Sequence, residues 1–234
     1  MTLTIDTGVD GVSITAEPLT PTAFAPFGAV ISNPRPDVHP SSASSSSSLP
    51  PNGVSANQGT AIQYRNVSRA RNLYADAPSG SAAPATSLFV CAARDTAVVT
   101  IGVLERHPFT TQTFSPLASS ADTYLVVVAP SLPPSARDEA LPVPRGDISG
   151  LPGRGLPDLG RLRAFVANGA QAVTYGAGTW HSPMIVLGRR GATLDFVVSQ
   201  FASGVAVEDC QLVHMASENV KVSIPERSGI KSRL

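Results

Sequence analysis

Residues 103–114, VLERHPFTTQTF, place a glutamate, an arginine, a histidine and a glutamine in a run that otherwise favours an extended chain. Glu105 and His107 are two apart, so on a strand they leave the same face while Arg106 leaves the other. Charges turned inward from a sheet are costly unless they are paired, bound to a metal or used on a ligand. From Glu105 the pattern is Glu-x-His-x4-Gln, ending at Gln112, and a distant segment, TYGAGTWHSPM, adds His181 after a turn containing Gly176 and Gly178. Two groups on one strand face, a third after the turn and a fourth from another strand can surround a divalent ion, or flank a small substrate with an acid and a base. Glu105, His107, Gln112 and His181 are therefore the candidate metal ligands. His107 and His181 are the candidate base and acid, in either order, with Glu105 orienting or ligating and Gln112 donating to substrate oxygens. One carboxylate, two imidazoles and a neutral amide would hold a metal loosely.

A plainer reading exists for each residue. A lone histidine on a strand is usually packed or solvated, and Glu105 has Arg106 and Arg163 as conceivable ion-pair partners. The combination at matched spacing carries the functional reading; His39 and His214 lack such company. A second polar cluster, ANQGTAIQY at 56–64, reads either as an ordinary turn or as a binding loop. In the second case Asn57, Gln58 and Tyr64 contact substrate and Gly59 permits close backbone approach. The sequence has no CxxC pair, no phosphate-binding GxxxxGK loop and no GxSxG elbow.

The elements that must position these groups are mostly strands. Short β-branched and aromatic runs begin at Thr86, Ala97, Asp122, Arg163, Ala172, Met184, Ala192 and Val220, bounded by Gly, Pro or Asn. Helix signals are few: Thr20 caps a turn that starts at Pro21 and stops by Gly28, and Asp158 caps another. Many strands and few helices predict a mainly β domain, an antiparallel barrel or double-sheet jelly roll spanning 1–234. Two Ser/Pro- or Pro/Gly-rich segments, 33–53 and 130–157, read as flexible surface insertions within it.

Composition narrows the partners. Seventeen basic against seventeen acidic residues argue against nucleic acid or an anionic membrane as the main partner. No apolar run is long enough to span a bilayer and no secretory leader is evident, so an intracellular protein is expected. Two cysteines, Cys91 and Cys210, fit a reducing compartment. Ser232-Arg233-Leu234 resembles a peroxisomal tripeptide, leaving peroxisome or cytoplasm.

The paired motifs resemble those of cupins, jelly-roll metalloproteins whose first motif has the form His-x-His-x4-Glu and whose later motif supplies a histidine after a Gly-rich turn. More specifically, LERHPFTTQTFSP, LRAFVANGAQAVTYGAGTWHSP and ANQGTAIQY resemble ureidoglycolate lyases of the fungal type. The resemblance implies a cupin-like fold, commonly a homodimer. It also implies cleavage of (S)-ureidoglycolate to glyoxylate and urea in allantoin breakdown, and an association with a divalent metal, nickel in particular. Relatives are expected to carry a basic residue near Gln63 for the substrate carboxylate. Without it Arg65, Arg106 or Arg163 must serve, and Arg106 is kept among the substrate-binding candidates. Other readings are a different small-organic-acid cupin metalloenzyme, a ureidoglycolate amidohydrolase releasing ammonia, and a non-catalytic ligand-binding cupin.

Overall fold

A computed structural model describes residues 2–5, 11–42, 49–145 and 150–225. In chain order the first strands are β1 (Thr2–Ile5), β2 (Val12–Thr15), β3 (Glu17–Pro18), β4 (Gly28–Ile31), β5 (Gly53–Ala56) and β6 (Ala61–Tyr64). Next come β7 (Ala83–Arg94), β8 (Val98–Thr100), β9 (Val103–Arg106), β10 (Gln112–Pro116), β11 (Thr123–Ala129) and β12 (Arg163–Asn168). The last are β13 (Ala172–Tyr175), β14 (Trp180–His181), β15 (Ile185–Leu187), β16 (Thr193–Ala202), β17 (Gln211–Met215) and β18 (Val220–Ser223). Two one-turn α-helices, α1 (Pro21–Phe24) and α2 (Ala206–Asp209), accompany them.

β11 shows why the sheet forms. Every residue of TYLVVVA is buried, as an unbroken apolar run requires, and its side chains alternate between two cores. Tyr124, Val126 and Val128 join Phe24, Phe114, Phe165, Tyr175 and Phe196. Leu125, Val127 and Ala129 join Leu104, Trp180, Val213 and Val222 on the other side. β11 pairs with β12 along one edge and with β15 and β14 along the other. The order then runs β14-β9-β17-β1, while β15 meets β7, which leads into β16-β10-β13-β4. The aromatic-rich core lies between these two halves. The end strands β1 and β4 do not pair, so the sheet stays open. The mainly β architecture is as expected, an open sandwich consistent with a cupin-like fold; the closed barrel is not formed. A third layer, β2-β18-β8, covers the outer core.

Local signals hold with shifts. Thr20 caps α1 through its side chain, which accepts from Ala23 N, but the helix ends at Phe24 because Gly28 already opens β4. A Cβ on Gly28 would lie 1.9 Å from the Thr174 carbonyl oxygen, so β4 and β13 approach too closely for any side chain there. The expected long strand from Ala97 breaks at Gly102 into β8 and β9, which serve different sheets.

The described part of the second insertion packs against the sheet. Leu141 and Leu156 enter the outer core, Leu132 N donates to Leu156 O, and buried Asp138 accepts from Arg154. Its Pro/Gly-rich backbone supplies carbonyl acceptors to the core, as described below. The described part of 33–53 is mostly exposed, with an Arg35–Asp37 ion pair at the surface. Ser232-Arg233-Leu234 lies outside the described residues. Among the described residues no helix is long and apolar enough to cross a membrane.

Candidate functional site

β9 sorts its side chains by parity: Leu104 and Arg106 enter the outer core, whereas Glu105 faces the interior of the sandwich. His181 in β14 pairs with Glu105 across the ladder, and Gln112 at the start of β10 pairs with Tyr175 of β13. His107 follows the end of β9, where its own carbonyl accepts from Gly178 N in the Gly-rich turn. One ligand atom each from Glu105, His107 and His181 lie within 4.8 Å of one another.

Hydrogen bonds define what each group offers. His107 Nδ1 lies 2.6 Å from the Asp209 carbonyl oxygen, and His181 Nδ1 lies 2.9 Å from that of Thr179. A carbonyl only accepts, so in both rings Nδ1 carries the proton and Nε2 presents a bare lone pair. Both Nε2 atoms are buried without a protein partner, as is Gln112 Oε1. Gln112 Nε2 donates to Gln200 Oε1 at 2.8 Å. The amide thus turns its nitrogen to Gln200 and leaves its oxygen without a partner. Tyr175 stacks flat on His181, with centroids 3.9 Å apart, and holds the plane of the ring.

The electrostatics follow from burial. Desolvation lowers the pKa of His107, and desolvation together with the neighbouring His107 pushes His181 down to about 3, so both rings are neutral near pH 7. The 3.6 Å approach of His181 Nε2 to Glu105 Oε1 is consequently not an ion pair. Burial raises the Glu105 carboxyl above its ordinary value, partly offset by a hydrogen bond from Cys210 Sγ at 3.8 Å. Desolvation and the Glu105 carboxylate push the Cys210 thiol up to about 12.

Arg106 turns away from the cluster. Its side chain is fully buried on the far face of the sheet, stacked over Trp180 and donating to Gln211 Oε1 and the carbonyls of Gly153, Arg154 and Gly155. Burial draws its pKa down to about 9, which leaves it cationic at neutral pH. Arg163 pairs with Glu17, and Arg65 donates to Gln63 on the β5–β6 hairpin. None of the three donates to the cluster, and Glu105 pairs with neither Arg106 nor Arg163. Asn57 and Gln58 sit exposed at the tip of that hairpin, and Tyr64 lies half-buried near its base. Among the described residues no side-chain hydrogen bond joins Asn57, Gln58 or Tyr64 to Glu105, His107, Gln112 or His181.

Two contributors escaped the sequence reading. Gln200 shares the parity of Leu194, Phe196 and Val198 in β16, a legible sign that it faces the core. Cys210 carried no such sign. Two imidazole nitrogens, an amide oxygen and a carboxylate lie together, all electron-pair donors to a cation. Three of these atoms are buried without a partner, a set of unpaired acceptors that suits a divalent ion of moderate hardness.

Comparison with known proteins places the chain further. The family model described as ureidoglycolate lyase matches residues 12–223. A Schizosaccharomyces pombe protein named ureidoglycolate lyase is 38% identical over 213 residues, covering 87% of this chain and 92% of that protein. A Saccharomyces cerevisiae protein of the same name is 35% identical over 230 residues, covering 91% of this chain and 100% of that protein. One from Burkholderia mallei is 31% identical over 186 residues, covering 80% and 81% respectively.

Proposed function

Because the chain belongs to the ureidoglycolate lyase family, we propose that it cleaves (S)-ureidoglycolate to glyoxylate and urea in allantoin breakdown, working as a homodimer with a divalent ion. The observation that carries this reading is the convergence of unpartnered acceptors. An anionic substrate entering a wall of lone pairs and a carboxylate would be repelled unless a cation sat between them.

Each histidine exposes a single ring nitrogen, so it serves as ligand or as base, but not both. His107, His181 and Gln112 would hold the ion through the atoms they leave unpartnered. When bound, it neutralises the substrate carboxylate and polarises the carbinol oxygen. Glu105, whose carboxyl is raised by burial, is the proton carrier. It takes the hydroxyl proton as the C–O bond becomes a carbonyl and the C–N bond breaks. It then returns that proton to the departing urea nitrogen, so nothing is gained or lost overall. The apolar interior around Tyr175 and Phe114 limits competing water.

The direct test incubates metal-analysed protein with racemic ureidoglycolate and follows glyoxylate, urea and ammonia together. Equal glyoxylate and urea from one enantiomer are expected; ammonia in place of urea would replace the lyase by an amidohydrolase. Removing divalent ions with a chelator is expected to lower turnover by about 100-fold or more, with recovery on adding nickel or manganese. The same addition should raise the melting temperature, since an ion at 100 times its Kd stabilises by about 2.7 kcal/mol. Unchanged turnover after chelation, with no metal left by mass spectrometry, would remove the ion from the reaction. Gln200 supplies a finer check. Replacing it with leucine frees the Gln112 amide and should weaken ion affinity by about 10-fold or more, as loss of an outer hydrogen bond typically does.

A further inference from the structure

Among the described residues two surfaces are left without a covering element. The first is β7. Its segment SLFVCAA has the unbroken apolar composition of a strand covered on both faces. Phe89 turns its ring to Phe114 in the inner core, yet on the opposite face Leu88 and Val90 are each 62% exposed. One edge of β7 pairs with β16 throughout, whereas the other meets β15 only at Ala93 and Arg94. Along 83–92 that second edge has no paired strand among the described residues, about 33 Å of open backbone. No Lys, Arg, Asp or Glu protects 83–93, and such an edge invites another strand.

The second is the β5–β6 hairpin. Among the described residues its strands pair only with each other, and none of its side chains enters the three apolar clusters. An isolated two-stranded hairpin is marginal in water. Its tip holds Asn57 and Gln58 in the left-handed region, at φ 48° and 56°, an arrangement that costs free energy in residues other than glycine. Both present amide donors to solvent, and amide donors are what the cluster lacks.

We propose that the two surfaces meet between copies of this chain. In a two-fold dimer, the β5–β6 arm of each copy adds to the open β7 edge of the other, and its tip delivers Asn57 and Gln58 to the other copy's reaction site. This rests on the reading of the Glu105–His107–Gln112–His181 cluster as that site. The dimensions agree. β7 lies two strands from β10, about 10 Å from Gln112, with Ala85 opposite Gln200, which bonds Gln112. The arm's four-residue strands span roughly 13 Å. Strand addition supplies the main-chain bonds, and the exposed apolar side chains of β7 supply the contact. The tip amides then donate to the ureido carbonyl or carboxylate of the substrate.

Two chains expressed together test this. One carries Asn57→Gly and Gln58→Gly, which remove the amides while glycine keeps the left-handed turn. The other carries His181→Ala. Each alone is expected to turn over ureidoglycolate at least ~100-fold more slowly than the wild type. In a mixed dimer, one of the two sites combines an intact cluster with an intact arm. Random pairing should therefore restore about one quarter of wild-type turnover. Turnover that stays at the parental level, with mixed dimers visible by native mass spectrometry, overturns the proposal, and so does wild-type turnover by the doubly glycine-substituted chain. Light scattering reads the docking without any turnover. The wild type should be a dimer, and Leu88→Lys with Val90→Lys, or a hairpin shortened across 54–63, should give a folded monomer. A monomeric wild type, or variants that stay dimeric, overturns the docking. An inactive wild-type dimer that these variants dissociate overturns the ureidoglycolate reading and leaves the docking standing.

Discussion

His181→Ala should lower kcat for ureidoglycolate by about 10²–10⁴-fold and strip the protein of its ion. The residue supplies one of two bare imidazole nitrogens in the cluster, and no neighbour can replace it, since its ring is fixed by the Thr179 carbonyl on one side and Tyr175 stacked on its face. A divalent ion that neutralises developing charge supplies several kcal/mol, and each 1.36 kcal/mol is about tenfold in rate. Glu105→Gln should differ in kind. The amide is nearly isosteric and two imidazoles and Gln112 remain to hold an ion, but no carboxylate is left to carry the proton. Turnover should fall by a similar factor while much of the metal stays, as read by elemental analysis of the purified variants. Equal metal loss in both would make Glu105 a ligand first, and wild-type turnover in His181→Ala with the ion retained would sink the whole assignment.

The second large effect is on stability. Arg106→Ala should cost roughly 3–5 kcal/mol, as breaking a buried charged network does. It leaves Gln211 Oε1 and the carbonyls of Gly153, Arg154 and Gly155 without their donor and removes the cation stacked on Trp180. Those carbonyls belong to the second insertion, so the variant should release that segment from the sheet and expose its backbone to protease before the rest unfolds. Arg106→Lys keeps the charge, yet one ammonium cannot span acceptors that a planar guanidinium reaches together, and it should recover only part of the loss. Urea denaturation and limited proteolysis measure both. A variant with wild-type stability and a raised KM would return Arg106 to substrate binding.

Arg106 also shows where sequence reading ends. Alternation along VLERHP is a property of any strand, and it already separated Glu105 and His107 from Arg106. What the far face holds is not a local matter. The guanidinium is satisfied by carbonyls 47–49 positions away, contributed by a Pro/Gly-rich segment whose composition says only that it forms no helix or ladder. Backbone acceptors leave no trace in residue identity, so the same blindness hid the Asp209 and Thr179 carbonyls that set the histidine tautomers. The open sheet was hidden for another reason. Strand periodicity specifies faces, whereas closure depends on which edges meet, and β1 and β4 do not.

By itself the sequence determined the mainly β class, the parity of each strand, the Thr20 and Asp158 caps and the family, because each depends on short-range pattern or on motifs kept together in the chain. Only the tertiary structure decided that Gln112 leaves its oxygen without a partner, that both imidazoles present Nε2, that the described part of the second insertion packs against the sheet, and that the β5–β6 strands pair with each other. These are long-range pairings. Each is settled by which partner satisfies a polar atom or covers an apolar face, and the chain brings that partner from far away in sequence.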